Sequence, residues 1–377
     1  MPTILIAADI CPIESNLPYF KAGDAQSLFH DLLPEFEQAD LVIANLECPL
    51  IEHPAPIPKT GPNFGESVEC IQGIKNAGID VLCLANNHIM DHGPAGLKST
   101  MDVCAKAGIA TVGVGENLGA ARRILIRQIG PIRLGILAMA EHEFSIATKD
   151  SPGANPLDLI DFVRNVRASR ERLDYLVVLL HGSHEFFAPT PRIKDTCHFL
   201  IEMGANVVIV QQPHMLGGYE NHQHGHVVYG QGALVMDEAV FRSRESFHQG
   251  FLVKLSIAAD ASSTMDIIPF VQSDPTPGAR RLPKEREQQF RRALEERSRA
   301  IQDDAFVEAE WLKFCQEYKY GYMSVLQGHN RVLRKLNQHG FLTRFLYGRR
   351  LYLGVRNCVC CETHREAIET IFYHQML

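Results

Sequence analysis

No stretch of the 377 residues stays apolar for the roughly 18 positions that a membrane-spanning helix needs. No basic region precedes the opening apolar run Thr3-Ile4-Leu5-Ile6-Ala7-Ala8, so nothing there reads as a secretory signal. These two absences predict a soluble, cytoplasmic protein. An excess of positive charge is missing as well. With 37 Lys and Arg against 44 Asp and Glu, the net charge of −7 argues against a general nucleic-acid binder. No internal repeat and no long low-complexity tract occurs. Cysteines are present, but not as a framework. The ten are scattered, several inside apolar runs where a free thiol acts as a small hydrophobe, which predicts reduced thiols.

What is there begins with 46% hydrophobic residues, enough for one large domain and a smaller one. Composition shifts at Gln272-Ser273-Asp274-Pro275-Thr276-Pro277-Gly278, which predicts a boundary between domains 1–273 and 274–377. Residues 275–377 carry 18 Lys and Arg against 12 Asp and Glu, while the rest carries 19 against 32. An acidic body with a basic tail predicts either mutual docking or a tail that meets something anionic. The tail has helical spacing over 284–300, 306–326, 331–336 and 362–373, hence a small helical C-terminal domain.

In the larger part, short apolar runs alternate with helical segments, the signature of an α/β fold with antiparallel additions. Apolar runs at 3–8, 41–44, 79–84, 173–180 and 207–210 each end in polar residues: Asp9; Asn45 with Glu47; Asn87 with His88; His181 with Glu185; Gln212 with His214. A lone Asp or Asn after a strand is usually a turn residue, and a lone His usually a satisfied core or surface group. Five such ends in succession predict one pocket, because ligands bind at the carboxyl ends of strands in open α/β sheets. Carboxylate, carboxamide and imidazole together suit one or two divalent cations such as Mn²⁺, Zn²⁺ or Fe²⁺. His88 can donate a proton, and Asp91, three residues on, can hold it in one tautomer.

These motifs carry a resemblance. Residues 4–237, through Ala8-Asp9, Ala44-Asn45-Leu46-Glu47-Cys48-Pro49-Leu50, Ala85-Asn86-Asn87-His88-Ile89-Met90-Asp91-His92-Gly93, His181-Gly182-Ser183-His184-Glu185 and Pro213-His214, resemble the capsule-synthesis CapA family, associated with poly-γ-glutamate. The resemblance implies a calcineurin-like metallophosphatase fold, a layered sandwich with helices packed on mixed β-sheets. It implies metal ligation by Asp9, Asn87, His181 and His214, with Asn45 at the bridging position. His88, steadied by Asp91, becomes the general acid or the oxyanion contact. Glu47 and Glu185 are the family's extra carboxylates, available as ligands, as bases or as groups that read an amine or amide. Three positions depart from the pattern. Cys11 and Gln212 stand where imidazoles are usual, and Gly230-Gln231-Gly232-Ala233-Leu234 replaces Ser-Leu-Gly-Asn-Phe. Gln212 can still offer a carboxamide oxygen, but ligand count points to one tightly held ion rather than two, with a metal-free site left open.

Three functions follow as expectations. The first is a metal-dependent hydrolase of an amide, γ-glutamyl or phosphoester bond, acting on a peptide, a γ-glutamyl polymer or another anionic small substrate. The second uses Asp9, His88, His181 and Glu185 without metal for acid–base chemistry, as in a peptide epimerase. The third is a non-catalytic component of polymer or capsule biosynthesis. Two lesser patterns point elsewhere. His222, His224 and His226 flank Gly225 and read as exposed hairpin residues rather than a metal clip. Cys358, Cys360, Cys361 and His364 lack a C-x₂-C pair and read as buried thiols rather than a zinc site.

Overall fold

Alternation along the strand Tyr175–His181 dictates the layering. Tyr175, Val177 and Leu179 join the large core cluster, while Leu176, Val178 and Leu180 join a second one. A strand with both faces apolar must be covered on both sides, so this sheet lies between another sheet and a helical layer. The strand Val207–Gln211 splits the same way, Val207 and Ile209 inward, Val208 and Val210 outward. Helix Pro191–Glu202 covers the outer face with Ile193, Cys197 and Leu200.

The computed structural model describes residues 1–59, 61–183, 187–239, 241–326, 331–346, 348, 355 and 359. Two mixed sheets form the body. The eight-stranded sheet runs Ala279–Arg281, Ser263–Gln272, Gln249–Ile257, Thr3–Ile10, Leu41–Leu46, Val81–Cys83, Ala110–Val112, with Ala233–Val235 pairing against the end of Thr3–Ile10. The six-stranded sheet runs Tyr219–His222, Gly225–Val228, Val207–Gln211, Tyr175–His181, Ile132–Ala140, Leu125–Ile129. In the second sheet the central pairs are parallel and hairpins close both edges. Helices Leu17–Ala22, Ile71–Asn76 and Gly93–Ala107 pack Phe20, Ile74 and Leu97 into the large cluster. This is the expected α/β layered sandwich.

Two details position the site. The pairing of Thr3–Ile10 with Leu41–Leu46 slips register between Ile6 and Asp9, and an irregularity of that kind re-aims a side chain at a strand end. Gly113, at φ 84°, lies between Ala85 of one layer and Ala138 of the other. A Cβ there would stand 2.6 Å from the Ala85 Cβ and 2.7 Å from the Ala138 Cβ.

The chain forms two compact units, Met1–Glu308 and Ala309–Leu377. The composition break near residue 273 falls inside the first. Residues 273–278 are a hairpin turn: Ser273 N donates to Gly278 O at 2.8 Å, and buried Asn16 clamps both ends, donating to Ser273 Oγ at 3.0 Å and accepting from Gly278 N at 2.7 Å. Strand Ala279–Arg281 then joins the sheet, and helix Lys284–Ala300 buries Phe290 and Leu294 in the large cluster. The helical segment between the first two strands is broken: Ala25–Phe29, a 3₁₀ turn His30–Leu32, then Leu33–Gln38 with Pro34 in its first turn. In the second unit, Arg331–Leu336 and Phe341–Leu346 are helical, and Thr343 N donates to Asn337 Oδ1 at 2.9 Å across the turn between them. The helix expected at 362–373, the cluster Cys358, Cys360, Cys361 and His364, and Glu185 lie outside the described residues. Among the described residues no helix is long and apolar enough to cross a membrane.

Candidate metal and acid–base site

The carboxyl ends of Thr3–Ile10, Leu41–Leu46 and Val81–Cys83 in one sheet, and of Tyr175–His181 and Val207–Gln211 in the other, deliver the polar groups to one place. Asp9, Asn45, Glu47, His181 and His214 are all buried there, and Asn87 is half-buried. Asn87 Oδ1 lies 3.2 Å from His181 Nε2, and Glu47 Oε1 lies 3.6 Å from the same nitrogen. His214 Nε2 sits 2.8 Å from Glu47 Oε2 and 3.8 Å from Asp9 Oδ2. Gln212 reaches in twice. Its backbone N–H donates to Asp9 Oδ2 at 3.1 Å, from a residue held at φ 96°, and its side chain hydrogen-bonds His181.

Asn45, at the position where the resemblance implies a bridging role, is hydrogen-bonded at both ends of its carboxamide. Its Nδ2 donates to Asp9 Oδ1 at 2.8 Å and its Oδ1 accepts from Asn86 Nδ2 at 3.1 Å, so the carboxamide is committed at both ends. Asn86 also holds Leu46 O at 2.8 Å and accepts from His88 N at 3.1 Å. It thereby ties the second strand end to the third. Glu47, expected as a ligand, a base or a group that reads an amine, stands within a ligand-like cluster: ligand atoms of Asp9, Glu47 and His214 all lie within 4.8 Å of one another.

Burial drives the site's electrostatics. It pushes the Asp9 carboxyl up to about 7, with Glu47's charge adding to the rise. The same burial opposes ionisation of Glu47, but His214 above all, with His181 and His88 behind it, draws that carboxyl down to about 2. Burial lowers His181 to about 4 and keeps it neutral, as a ligand imidazole must be. Glu47 Oε1 is buried without a hydrogen-bond partner. A carboxylate oxygen in that state is costly unless a cation or donor faces it. The donor set therefore fits a divalent cation of the borderline class.

Beside this cluster stands the acid–base pair. His88 Nδ1 lies 2.6 Å from Asp91 Oδ2, which commits that nitrogen as donor and leaves Nε2 for exchange. The Pro-rich loop after Ile51 folds back over this pair. Ile57 N donates to Asp91 O at 2.9 Å, Phe64 N donates to Asp91 Oδ2 at 2.7 Å, and the Phe64 ring lies 4.4 Å from that of His88. Lys59, its side chain 3% exposed, forms an ion pair with Asp91 Oδ1 and sits 3.2 Å from His88 Nδ1. Lys59, Phe64 and Asn86 are absent from the sequence-derived site. Asn86 was adjacent to named residues, whereas Lys59 sits in a segment whose composition reads as surface loop.

Elsewhere the expected alternatives resolve locally. The Cys11 thiol hydrogen-bonds the Cys48 thiol, and burial pushes it well up. His222 Nε2 lies 3.0 Å from Glu202 Oε1 and His226 Nδ1 lies 2.7 Å from Asn221 Oδ1, so these hairpin imidazoles turn to separate partners.

Two mixed sheets under helical layers, with carboxylates and imidazoles gathered at their strand ends, define an α/β layered sandwich with one buried polar strand-end site. The chain belongs to the bacterial capsule synthesis protein PGA_cap family, whose profile matches residues 3–238. The capsule biosynthesis protein CapA of Bacillus anthracis is 28% identical over 271 residues, covering 69% of this chain and 65% of that one. The PGA biosynthesis protein CapA of Bacillus subtilis is 25% identical over 263 residues, 67% of each chain. A probable polyglutamine synthesis accessory protein of Mycobacterium tuberculosis is 32% identical over 200 residues, 49% of this chain and 53% of that one. The chain thus spans just under two thirds of the Bacillus anthracis relative's length. Among solved structures, a phosphatase from Mycoplasma pneumoniae aligns with TM-score 0.47 and 15% identity, over 73% of this chain and 95% of that one. A putative 5′-nucleotidase from Staphylococcus aureus aligns with TM-score 0.44 and 15% identity, over 78% and 58%. Likenesses of this degree are loose, and the chemistry of the site rests on its own side chains.

Proposed function

We propose that this protein is a hydrolase of amide bonds in a γ-glutamyl polymer or peptide, working with one divalent cation held by Asp9, Glu47, His181 and His214. The observation that carries the reading is the buried, partnerless Glu47 Oε1 facing His181 in the Asp9–Glu47–His214 cluster. The polymer follows the names of the relatives, which concern capsule and polyglutamate-type synthesis. A bound cation supplies a polarised carbonyl oxygen and a hydroxide near neutral pH. The protein's own groups do the rest. Asn87, half-buried at the edge of the cluster, orients the scissile group, while His88 Nε2 hands a proton to the leaving nitrogen as the C–N bond breaks. Water's oxygen ends on the acyl carbon, one of its hydrogens goes to the leaving amine, and the other stays on the new carboxylic acid, which releases it to solvent near neutral pH. Asp91 and Lys59 hold His88 in register rather than touching substrate.

The test is elemental analysis of protein purified without chelator, followed by assay on γ-linked glutamyl oligomers, α-linked peptides and phosphoesters. About one equivalent of Mn, Zn or Fe, with cleavage lost in EDTA and in Glu47→Gln, supports the reading. Cleavage of phosphoesters alone moves the substrate class. Activity that survives EDTA in metal-free protein overturns the hydrolase and favours acid–base chemistry such as epimerisation, and a metal-loaded protein without turnover favours an accessory role in polymer synthesis.

A further inference from the structure

Helix Lys284–Ala300 carries an arginine on its buried stripe. Phe290, Leu294 and Ser298 are buried, and Arg297 follows Phe290 and Leu294 at helical spacing, half-buried on the same seam. Its Nη1 donates to Leu216 O at 2.6 Å, and its Cζ lies 5.7 Å from the centre of the Phe187 ring. Leu216 is two residues beyond His214, so this guanidinium stands at the loop that delivers a site imidazole. A second arginine approaches the same imidazole. Arg244 Cζ lies 5.1 Å from the Phe241 ring centre, and that ring lies 6.0 Å from the His214 ring. The nearby Arg242, Arg286, Arg291 and Arg299 are each matched by a carboxylate. Arg244 and Arg297 have no carboxylate partner among the described residues and lie against phenyl rings instead.

An unpaired guanidinium in a half-buried place is costly, because water solvates it less well, and burial lowers the basicity of Arg297. The Leu216 carbonyl occupies one of its N–H groups, and a phenyl face supplies only a weak attraction. The rest of the planar fork is of the kind that pairs bidentately with a carboxylate. Outside residues 275–377 the chain carries 19 Lys and Arg against 32 Asp and Glu. A polyanion is therefore repelled over most of this body and needs uncompensated cations where it is held. Every residue of a γ-linked glutamate chain keeps a free α-carboxylate close to the backbone amide. We propose that Arg297 and Arg244 bind carboxylates of an anionic polymer substrate beside the His214 loop, with Arg297 the stronger contact because it is half-buried. The inference rests on the polymer reading above and adds the residues that select for the polymer's charge. Both arginines lie beyond residues 3–238, so the selection belongs to elements that the family profile does not cover.

The experiment is calorimetric titration of the full chain in EDTA, where the proposed cleavage does not intervene. The ligands are a γ-linked glutamate tetramer and the same tetramer with carboxamides in place of its α-carboxylates. The acid tetramer is expected to bind more tightly, and to weaken as salt rises. Arg297→Gln should weaken its binding on the order of tenfold, and Arg244→Gln about threefold, an exposed cation being worth less. Neither should change binding of the carboxamide tetramer. Arg297→Lys keeps the charge and a donor for Leu216 O but loses the fork, and should restore only part of the affinity. Equal losses for the two tetramers overturn the proposal, since Arg297 then only props the loop. So does an unmutated chain that fails to bind the acid tetramer, or inorganic phosphate that binds as tightly and as sensitively to both substitutions. Binding that needs the arginines in a protein that cleaves nothing keeps this inference and removes the hydrolase. Cleavage with an unchanged KM for γ-glutamyl oligomers in both variants does the reverse.

Discussion

Asp9 and Glu47 are chemically alike and sit in one pocket, yet their surroundings drive them apart, the first up to about 7 and the second down to about 2. In ion-free protein Asp9 is therefore protonated below neutrality, and a cation must displace that proton. Affinity for Mn²⁺ or Zn²⁺ should fall on the order of tenfold per pH unit below about 7, with about one proton released per ion. Calorimetry in buffers of different ionisation enthalpy counts the proton, and an affinity flat through that range sinks the assignment. The sign reverses for stability. A carboxyl raised above its ordinary 3.8 stabilises the ion-free fold fully below that value and loses the contribution as pH rises through about 7. His88→Ala should lower turnover about 10²–10⁴-fold with substrate binding retained, because only the proton donor is removed. Unchanged kcat would take His88 out of the mechanism. These residues were legible in the sequence because polar side chains at the ends of fully apolar strands have few structural uses. The commitment of Asn45 to Asp9 and Asn86 was not legible, since it depends on a register slip between two strands.

At the scale of elements, the loop over His88 is held by a buried ion pair that no local pattern announces. Removing one partner of such a pair strands the other charge, so Lys59→Met should cost about 3–5 kcal/mol in urea unfolding. The double variant Lys59→Met with Asp91→Leu should recover part of that loss while remaining inactive. A loss in the double variant equal to the sum of the Lys59→Met and Asp91→Leu losses would show that the pair does not couple. Gly113 constrains the layers in another way: Gly113→Val has no room against Ala85 and Ala138 and should lower stability by about 2 kcal/mol or more. Strands and hairpins such as Leu125–Ile129 with Ile132–Ala140 could be read directly, because apolar period and turn residues act over a few positions. A Pro-rich loop that closes on a site thirty residues away is decided by tertiary contact, and its composition speaks only of irregular backbone.

For the whole molecule, the sequence-derived boundary at 273 fails as a place to cut. Helix Lys284–Ala300 is so rich in Arg, Glu and Gln that it reads as solvated, yet one narrow face seats Phe290 and Leu294 in the core. A chain ending at residue 273 should lose those contacts and the last strand, and unfold at distinctly lower urea than one ending at Glu308. Similar midpoints for the two would contradict the packing. The alternation seen in Tyr175–His181 has a further consequence, for how such a protein can drift over generations. Deleting a single residue from this strand would turn its remaining side chains over, sending His181 out under the helices and an apolar neighbour into the pocket. Insertions and deletions are therefore survivable in the connecting loops and lethal to chemistry inside the strands that feed the site, so lineages of this fold can vary freely in loop length while strand length stays frozen.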